Sequence, residues 1–461
     1  MKLKDIHSVY FIGIGGIGMS ALARWFNANN YFVAGYDKTT TPLTQKLEAE
    51  GISIHYEDSV ELIPTKVSSD NKTSLIVYTP AVPKEHLEFN FLKDNGFEIL
   101  KRSQVLGELT KNCFTIAVAG THGKTTTSSM IAHILKSSGR NCTAFVGGIM
   151  ANYDSNLIIG KDGEDNIIIV EADEFDRSFL TLHPDIAVIT AVDADHLDIY
   201  GSADSLKDSF KDFIRNIKNN GKLFIEERSV LKIDMEGLGV VDFETYGLEN
   251  GQIYAEKTSV LEGEFKFDFK GSNSQINDLI LPLPGFHNVE NCVAAIAVAN
   301  ELNIESEKIK KALKEYKGVK RRFEYIIKTN NLIFIDDYAH HPEEIRALLK
   351  SARALFQEKK ITVIFQPHLF TRTRDFAEGF SETLSLADEV ILLDIYPARE
   401  LPINGVNSEM LMAAIGSTKK GVLAKEELIG ELKKRNLEVL LTIGAGDIDA
   451  LVQPIKEALE I

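Results

Sequence analysis

The stretch "TIAVAGTHGKTTTSSMIAHIL" carries the residues best suited to chemistry in this chain of 461 residues. Gly120 and Gly123 precede Lys124 and Thr125, between a strand-like run and a helix-like run. Backbone N–H groups in such a turn point at phosphate oxygens, and the helix N-terminus behind them favours negative charge. Lys124 is placed to neutralise the β- and γ-phosphates of a nucleotide, and the Thr125 hydroxyl to sit on Mg2+. The full phosphate-loop pattern has one more glycine five positions before Gly123, where this chain has Val118. Glu171 ends "NIIIVE", and Asp193, Asp195, His196 and Asp198 follow "IAVIT". In a parallel α/β sheet such strand ends converge on the same crevice as the glycine turn, and hard oxygen donors suit Mg2+. His196 by itself also fits a hydrogen-bonding strand-end residue, and a single histidine does not suggest zinc. Together these residues predict ATP use and leave the phosphate acceptor open.

A second glycine turn stands earlier, in "SVYFIGIGGIGMSALARWF", where Gly13, Gly15 and Gly18 have the spacing G-x-G-x-x-G. Asp37 follows 19 residues after Gly18. That is the form of a dinucleotide-binding turn with an acid for the ribose hydroxyls. An NAD-dependent oxidoreductase is therefore one reading. It would not need the Lys124–Thr125 site, and no hydride-transfer constellation accompanies the turn. A non-catalytic nucleotide-binding regulator is another, opposed by the intact set Lys124, Thr125, Glu171 and His196.

The elements that must hold these residues alternate between strand and helix. "SVYFIGI", "YFVAGYD" and "SLIVYT" read as buried strands, with an amphipathic helix carrying Met19, Leu22, Ala23 and Phe26 between the first two. The rhythm implies a parallel sheet covered by helices. It resumes at "FTIAVAG", with Gly139 placed to end the following helix. From about residue 222 to 283 short alternating pieces such as "EFKFDFKG" predict antiparallel strands on the edge of that domain. A third α/β segment starts near "KGVKRRFEYI" and runs through "LIFIDD", "ITVIFQ", "EVILLD" and "VLLTIGAGDID". The expected fold class is α/β, with three domains in series: 1–108, 109–317 and 318–461.

Composition sets outer limits. Apolar content of 44% and charged content of 26% describe an ordinary globular protein. A net charge of −16 argues against a large nucleic-acid face. Three scattered cysteines, Cys113, Cys142 and Cys292, predict buried thiols in a reducing compartment. With no long apolar run and no leader pattern, a cytoplasmic location without membrane insertion is the expectation.

The motifs, taken in order, resemble the Mur ligases, ATP-dependent amino-acid-adding enzymes of peptidoglycan synthesis. The resemblance runs from "GIGGIGMSALA" through "GTHGKTTT", "EADEFDRSF", "DADHLD", "PGFHNVEN", "RRFE", "DDYAHHP", "FQPHLFTRTRD" and "IYPARELPINGV" to "GAGDI". It implies a Rossmann-like N-terminal domain for a UDP-sugar, a central phosphate-loop ATPase domain, and a Rossmann-like C-terminal domain for the amino acid. Within the family it points to members that join L-alanine to UDP-N-acetylmuramate through an acyl phosphate. A relative that attaches a whole murein tripeptide to the same sugar is the alternative. ATP and Mg2+ are the implied cofactors, in a monomer or homodimer.

The resemblance also implies site residues. Gly120, Thr121, His122, Gly123, Lys124, Thr125 and Thr126 would hold ATP with Asn288, Asn291 and Arg322. Asn288 fits a helix cap equally well. Thr125, Glu171 and His196 would hold metal, and Lys124, His196, Arg322 and Asp337 would serve catalysis. Arg321 reads as a surface partner of Arg322. Gly13, Gly15, Gly16, Ile17, Gly18, Asp37, Thr79, Pro80 and Ala81 would line the UDP-sugar pocket. Tyr338, His340, His368 and Arg372 would receive the amino acid, Arg372 through a bidentate pair with its carboxylate. For the base that takes the amine proton, His196 and His340 both stay open.

Overall fold

The computed structural model of the chain describes residues 3–80, 82–161, 163, 165–193, 203–235, 238, 242–261, 264–398, 400–416 and 419–460. The expectations for Ala81, Asp195, His196 and Asp198 fall outside these residues. Among the described residues no helix is long and apolar enough to cross a membrane.

Three sheets follow one another along the chain, as the alternating runs predict. The first holds β1 (Ser8–Ile12), β2 (Phe32–Tyr36), β3 (Ser53–His55), β4 (Ser74–Tyr78) and β5 (Glu98–Lys101), in the order β3-β2-β1-β4-β5. All its neighbours are parallel. The order reverses between β1 and β4, which opens a crevice at their carboxyl ends, where the glycine turn lies.

The second sheet holds β6 (Phe114–Ala119), β7 (Cys142–Met150), β8 (Ser155–Ile158), β9 (Ile167–Glu171) and β10 (Ile186–Ile189). It continues with β11 (Lys222–Glu226), β12 (Asp242–Gly247), β13 (Ile253–Leu261), β14 (Glu264–Lys270) and β15 (Gln275–Leu281). Their order is β15-β14-β13-β12-β11-β10-β6-β9-β7-β8, so the glycine turn after β6 lies between the ends of β10 and β9. The expected antiparallel portion does not begin at residue 222. β11 and β12 both continue the parallel sheet, because the short helix Glu227–Ile233 carries the chain back between them.

The third sheet holds β16 (Glu324–Lys328), β17 (Ile333–Asp337), β18 (Ile361–Phe365), β19 (Glu389–Leu392), β20 (Lys419–Val422) and β21 (Val439–Ile443). The order is β16-β17-β21-β18-β19-β20, and only the β16–β17 pair is antiparallel.

The chain divides into two compact units. One comprises Met1–Glu256, Phe269–Ile276 and Glu290–Leu313; the other comprises Lys257–Asp268, Asn277–Val289 and Lys314–Ile461. In the first unit a single apolar cluster joins Phe11, Leu22 and Phe26 to Phe145, Leu157 and Phe179. Burying a side chain of this size contributes about 1.5–3 kcal/mol. Across the same contact Asn156 of β8, fully buried, donates to the Ile17 carbonyl (2.6 Å) and to Ser20 Oγ (2.9 Å). Its Oδ1 accepts from Arg24 Nη1 (2.6 Å), and Arg24 grips both oxygens of Glu50. With every member satisfied, this network fixes the helix Ile17–Ala28 against the β7–β8 hairpin.

On the other face of the first sheet a buried relay joins three elements. Tyr10 Oη lies 2.7 Å from His55 Nε2 and 2.5 Å from Glu88 Oε2. His55 Nδ1 faces the Glu57 carbonyl at 2.9 Å. The Tyr10 hydroxyl donates to Glu88 Oε2, and Glu88 has no exposed surface. Burial pushes that carboxyl up to about 7. A carboxyl whose folded pKa is raised contributes stability that is full below its unfolded value and fades as pH rises through the folded value. Wild-type thermal stability should therefore lose this contribution progressively between the unfolded value of 4.5 and the folded value of about 7. Glu88→Gln, which mimics the neutral acid, should flatten that part of the pH dependence. Parallel curves for the two proteins would refute the assignment.

Candidate active site

Gly120 and Gly123 adopt φ of 134° and 83°, a region that favours glycine. The bend delivers the chain from β6 into the helix Lys124–Ser137, whose first turn has no acidic residue and no side-chain cap. Its open N–H groups form an anion cradle. A Cβ on Gly123 would stand 2.6 Å from Asn291 Oδ1, so the predicted nucleotide contact Asn291 lies directly on the turn.

Lys124 Nζ donates to the Gly120 carbonyl at 2.6 Å and to Glu174 at 3.0 and 2.7 Å. Glu174 is fully buried. Burial alone would lower the Lys124 ammonium, but Glu174, Asp173 and Glu171 outweigh it and hold it above its usual range. Thr125 Oγ1 donates to Glu171 Oε1 at 2.9 Å, and Glu171 Oε2 accepts from Gly147 N at 2.8 Å. A hydroxyl and a carboxylate at this spacing beside a cationic cradle are a hard-oxygen donor set, which fits Mg2+.

The far side of the turn is braced by β10. Thr190 Oγ1 donates to the His122 carbonyl, Thr121 N to the Ala191 carbonyl (3.0 Å), and Asp193 N to Thr121 Oγ1 (3.1 Å). Asp193 Oδ1 accepts from Lys232 at 2.5 Å, and Oδ2 lies 3.9 Å from His122 Nε2. Thr126 is buried in the same first helical turn.

The first glycine turn is assembled from three strand ends of its own sheet. Gly13 has φ 87°, and a Cβ there would meet Thr79 Cγ2 at 2.8 Å. Gly15 N donates to Asp37 Oδ2 (2.7 Å), and Asp37 Oδ1 accepts from Thr39 N (3.1 Å). Both Asp37 oxygens thus hold backbone, one of them clamping the turn itself. Gly16 precedes the helix, Ile17 leaves 37% of its surface exposed, and Pro80 follows β4 after Thr79.

In the second unit, the residues predicted on the third segment also converge. Arg322 sits between Arg321 (φ 61°) and Phe323 (φ 50°), two non-glycine residues in the left-handed region. Such strain persists where surrounding contacts over-determine it. Here Asp337 Oδ2 accepts from Phe323 N (2.7 Å) while its Oδ1 accepts from Ala339 N (2.8 Å). Burial, opposed by Arg322, pushes the Asp337 carboxyl up to about 6. The Arg322 guanidinium lies 5.2 Å from the centre of the Tyr338 ring. Arg321 is no surface partner. It bonds Asp336 (3.2 Å) and the Gly444 carbonyl (2.6 Å), pinning the loop to the ends of β17 and β21.

His340 Nδ1 faces the Tyr338 carbonyl at 3.0 Å, so its proton is assigned there and Nε2 carries the lone pair. Burial holds the ring below its usual range despite Glu344, with Arg372 and Arg322 acting in the same direction as burial. The His368 ring lies 6.2 Å from that of His340 and stacks on Tyr396 at 5.6 Å. Asn288 is not a cap: the helix begins at Phe286, and the Asn288 amide donates to the Pro284 carbonyl. The neighbouring His287 is driven down to about 4 by burial and by Arg322.

Sequence reasoning missed Glu174 and His287. Both lie in motifs already quoted, "EADE" and "FHNVEN", but nothing local tells which acid meets Lys124 or which polar residue is buried. A phosphate-binding turn backed by strand-end acids, a second glycine turn on its own sheet and a third α/β sheet define a multidomain nucleotide-dependent α/β enzyme. Residues 8–113 match the Mur ligase family catalytic domain, 118–299 the Mur ligase middle domain, and 321–446 the Mur ligase glutamate ligase domain. The UDP-N-acetylmuramate–L-alanine ligase of Cytophaga hutchinsonii is 50% identical over 99% of this chain and 97% of its own. That of Flavobacterium johnsoniae is 47% identical over 100% of this chain and 99% of its own. The solved UDP-N-acetylmuramate-alanine ligase of Thermotoga maritima superposes with a TM-score of 0.84 at 31% identity, covering 98% and 99% of the two chains. The chain belongs to the Mur ligase family.

Proposed function

We propose that this enzyme joins L-alanine to the lactyl carboxylate of UDP-N-acetylmuramate at the expense of ATP. The observation that carries the ATP half is the Lys124–Gly120–Glu174 clamp beside the Thr125–Glu171 pair. The full-length relatives named for that reaction carry the substrate half.

A lactyl carboxylate oxygen attacks the γ-phosphorus, the bond to the β–γ bridging oxygen breaks, and ADP departs. The alanine nitrogen then attacks the acyl carbon, and inorganic phosphate leaves as the amide forms. Two anions must approach in the first step, so the site has to neutralise charge before in-line transfer. Lys124 supplies one cation, and Arg322 supplies another from its over-determined loop. Thr125 and Glu171, with His196 by resemblance, would hold Mg2+, which would supply the remaining charge neutralisation. Arg372 takes the alanine carboxylate, and His340, neutral with an open Nε2, is available for the amine proton. The first glycine turn holds the pyrophosphate of the UDP-sugar.

Phosphate release should require UDP-N-acetylmuramate, L-alanine, ATP and Mg2+ together. Release without the sugar nucleotide, or a preference for murein tripeptide over L-alanine, would overturn the substrate assignment.

A further inference from the structure

Arg372 is carried by the helix Phe370–Asp375, which has only six residues and is too short to hold itself. Its N-cap, Leu369, has φ 71°, an angle that a branched side chain rarely takes, and it caps no backbone N–H. The start of this helix is held instead by the loop that follows β19. Leu369 N donates to the Tyr396 carbonyl at 2.9 Å. Glu400, from the same loop, takes Thr371 through both of its oxygens. Its Oε2 accepts from Thr371 N at 3.0 Å, and its Oε1 accepts from the Thr371 hydroxyl at 2.5 Å. Burial would raise the Glu400 carboxyl, but the Thr371 and Phe370 donors outweigh it and hold it below its usual range. An anion thus caps the helix from outside, where the peptide dipoles favour it.

Arg372 is the next residue after Thr371. Among the described residues its partly buried guanidinium has no hydrogen bond or ion pair of its own. Its charge is felt at His340, so it faces the ends of the strands where the amino acid is placed. With no contact to fix the side chain, the backbone of this short helix sets where the guanidinium stands. A bidentate grip on a carboxylate needs that position to be exact within a fraction of an ångström. We propose that Glu400 is a positioning residue for the amino-acid site: it locks the first turn of Phe370–Asp375 and so aims Arg372 at the alanine carboxylate. The inference rests on the role given above to Arg372. Leu401, the next residue, is 85% exposed, so packing at that neighbour does not replace the anchor.

Steady-state kinetics with L-alanine varied at saturating ATP and UDP-N-acetylmuramate test this. Glu400→Gln keeps the size, loses the charge and turns a donor toward the donors of Thr371. It should raise the KM for L-alanine about tenfold, keep kcat at saturating alanine within about threefold, and leave the KM of the other two substrates unchanged. Thr371→Val, which removes one of the two donors, should shift the alanine KM in the same direction by less. Arg372→Lys should raise it as well, and adding Glu400→Gln to that variant should raise it little further, since one residue acts through the other. If Arg372→Lys leaves the alanine KM at the wild-type value, the assignment of Arg372 falls. If Arg372→Lys raises it and Glu400→Gln does not, the positioning role of Glu400 is overturned. A Glu400→Gln enzyme with a lowered thermal midpoint, reduced kcat and unchanged alanine KM would also overturn it, because Glu400 would then serve the fold alone.

Discussion

Lys124→Ala should reduce phosphate release by about a thousandfold or more, because a cation on the transferred phosphoryl group is removed. The structure adds a second consequence. Glu174 has no exposed surface and is held by Lys124 through both oxygens. Removing the cation takes its hydrogen bonds and charge from a buried carboxylate, at a cost of about 3 kcal/mol. Thermal unfolding of Lys124→Ala should therefore shift down along with activity. The double substitution Lys124→Ala with Glu174→Gln should recover the thermal midpoint and none of the activity. Recovery of activity in the double variant would show that Lys124 serves the fold and not the phosphate. A single variant with wild-type activity would remove the phosphate site altogether.

Asp337→Ala should be nearly as damaging, through a different route. Its carboxylate accepts two backbone N–H groups, on Phe323 and Ala339, and so fixes Phe323, one of the two left-handed residues that flank Arg322. Without it the loop relaxes and the Arg322 guanidinium loses its fixed position, for an expected loss in kcat of about a hundredfold or more. Asp337→Asn should do no better, since one side-chain position then presents a donor to a backbone donor. Asp337→Ala with Arg322→Ala should be little worse than either alone, the non-additivity expected when one residue acts through the other. Fully additive losses would mean that Asp337 acts on substrate independently of Arg322.

The sequence alone determined the local parts: two glycine turns, the Lys124–Thr125 step and the strand-end positions of Glu171, Asp193 and Asp337. Each is legible because it depends on backbone conformation and side-chain type within a few neighbouring residues. The parallel character of β11 and β12 was not legible, since short strands with mixed polarity look alike whichever direction they pair.

Only the tertiary structure decided which partners meet. Lys124 faces Glu174, Gly123 faces Asn291, and Gly18 faces Arg102, all across long stretches of sequence. Arg321 and Arg322 are adjacent in the chain, yet Arg321 anchors the loop through Asp336 and Gly444 while Arg322 faces Asp337. Hydrophobic periodicity specifies the face a strand buries, but the order of strands in a sheet sets whose ends become neighbours. In this chain that order, β10-β6-β9, is what places the acids around the phosphate turn.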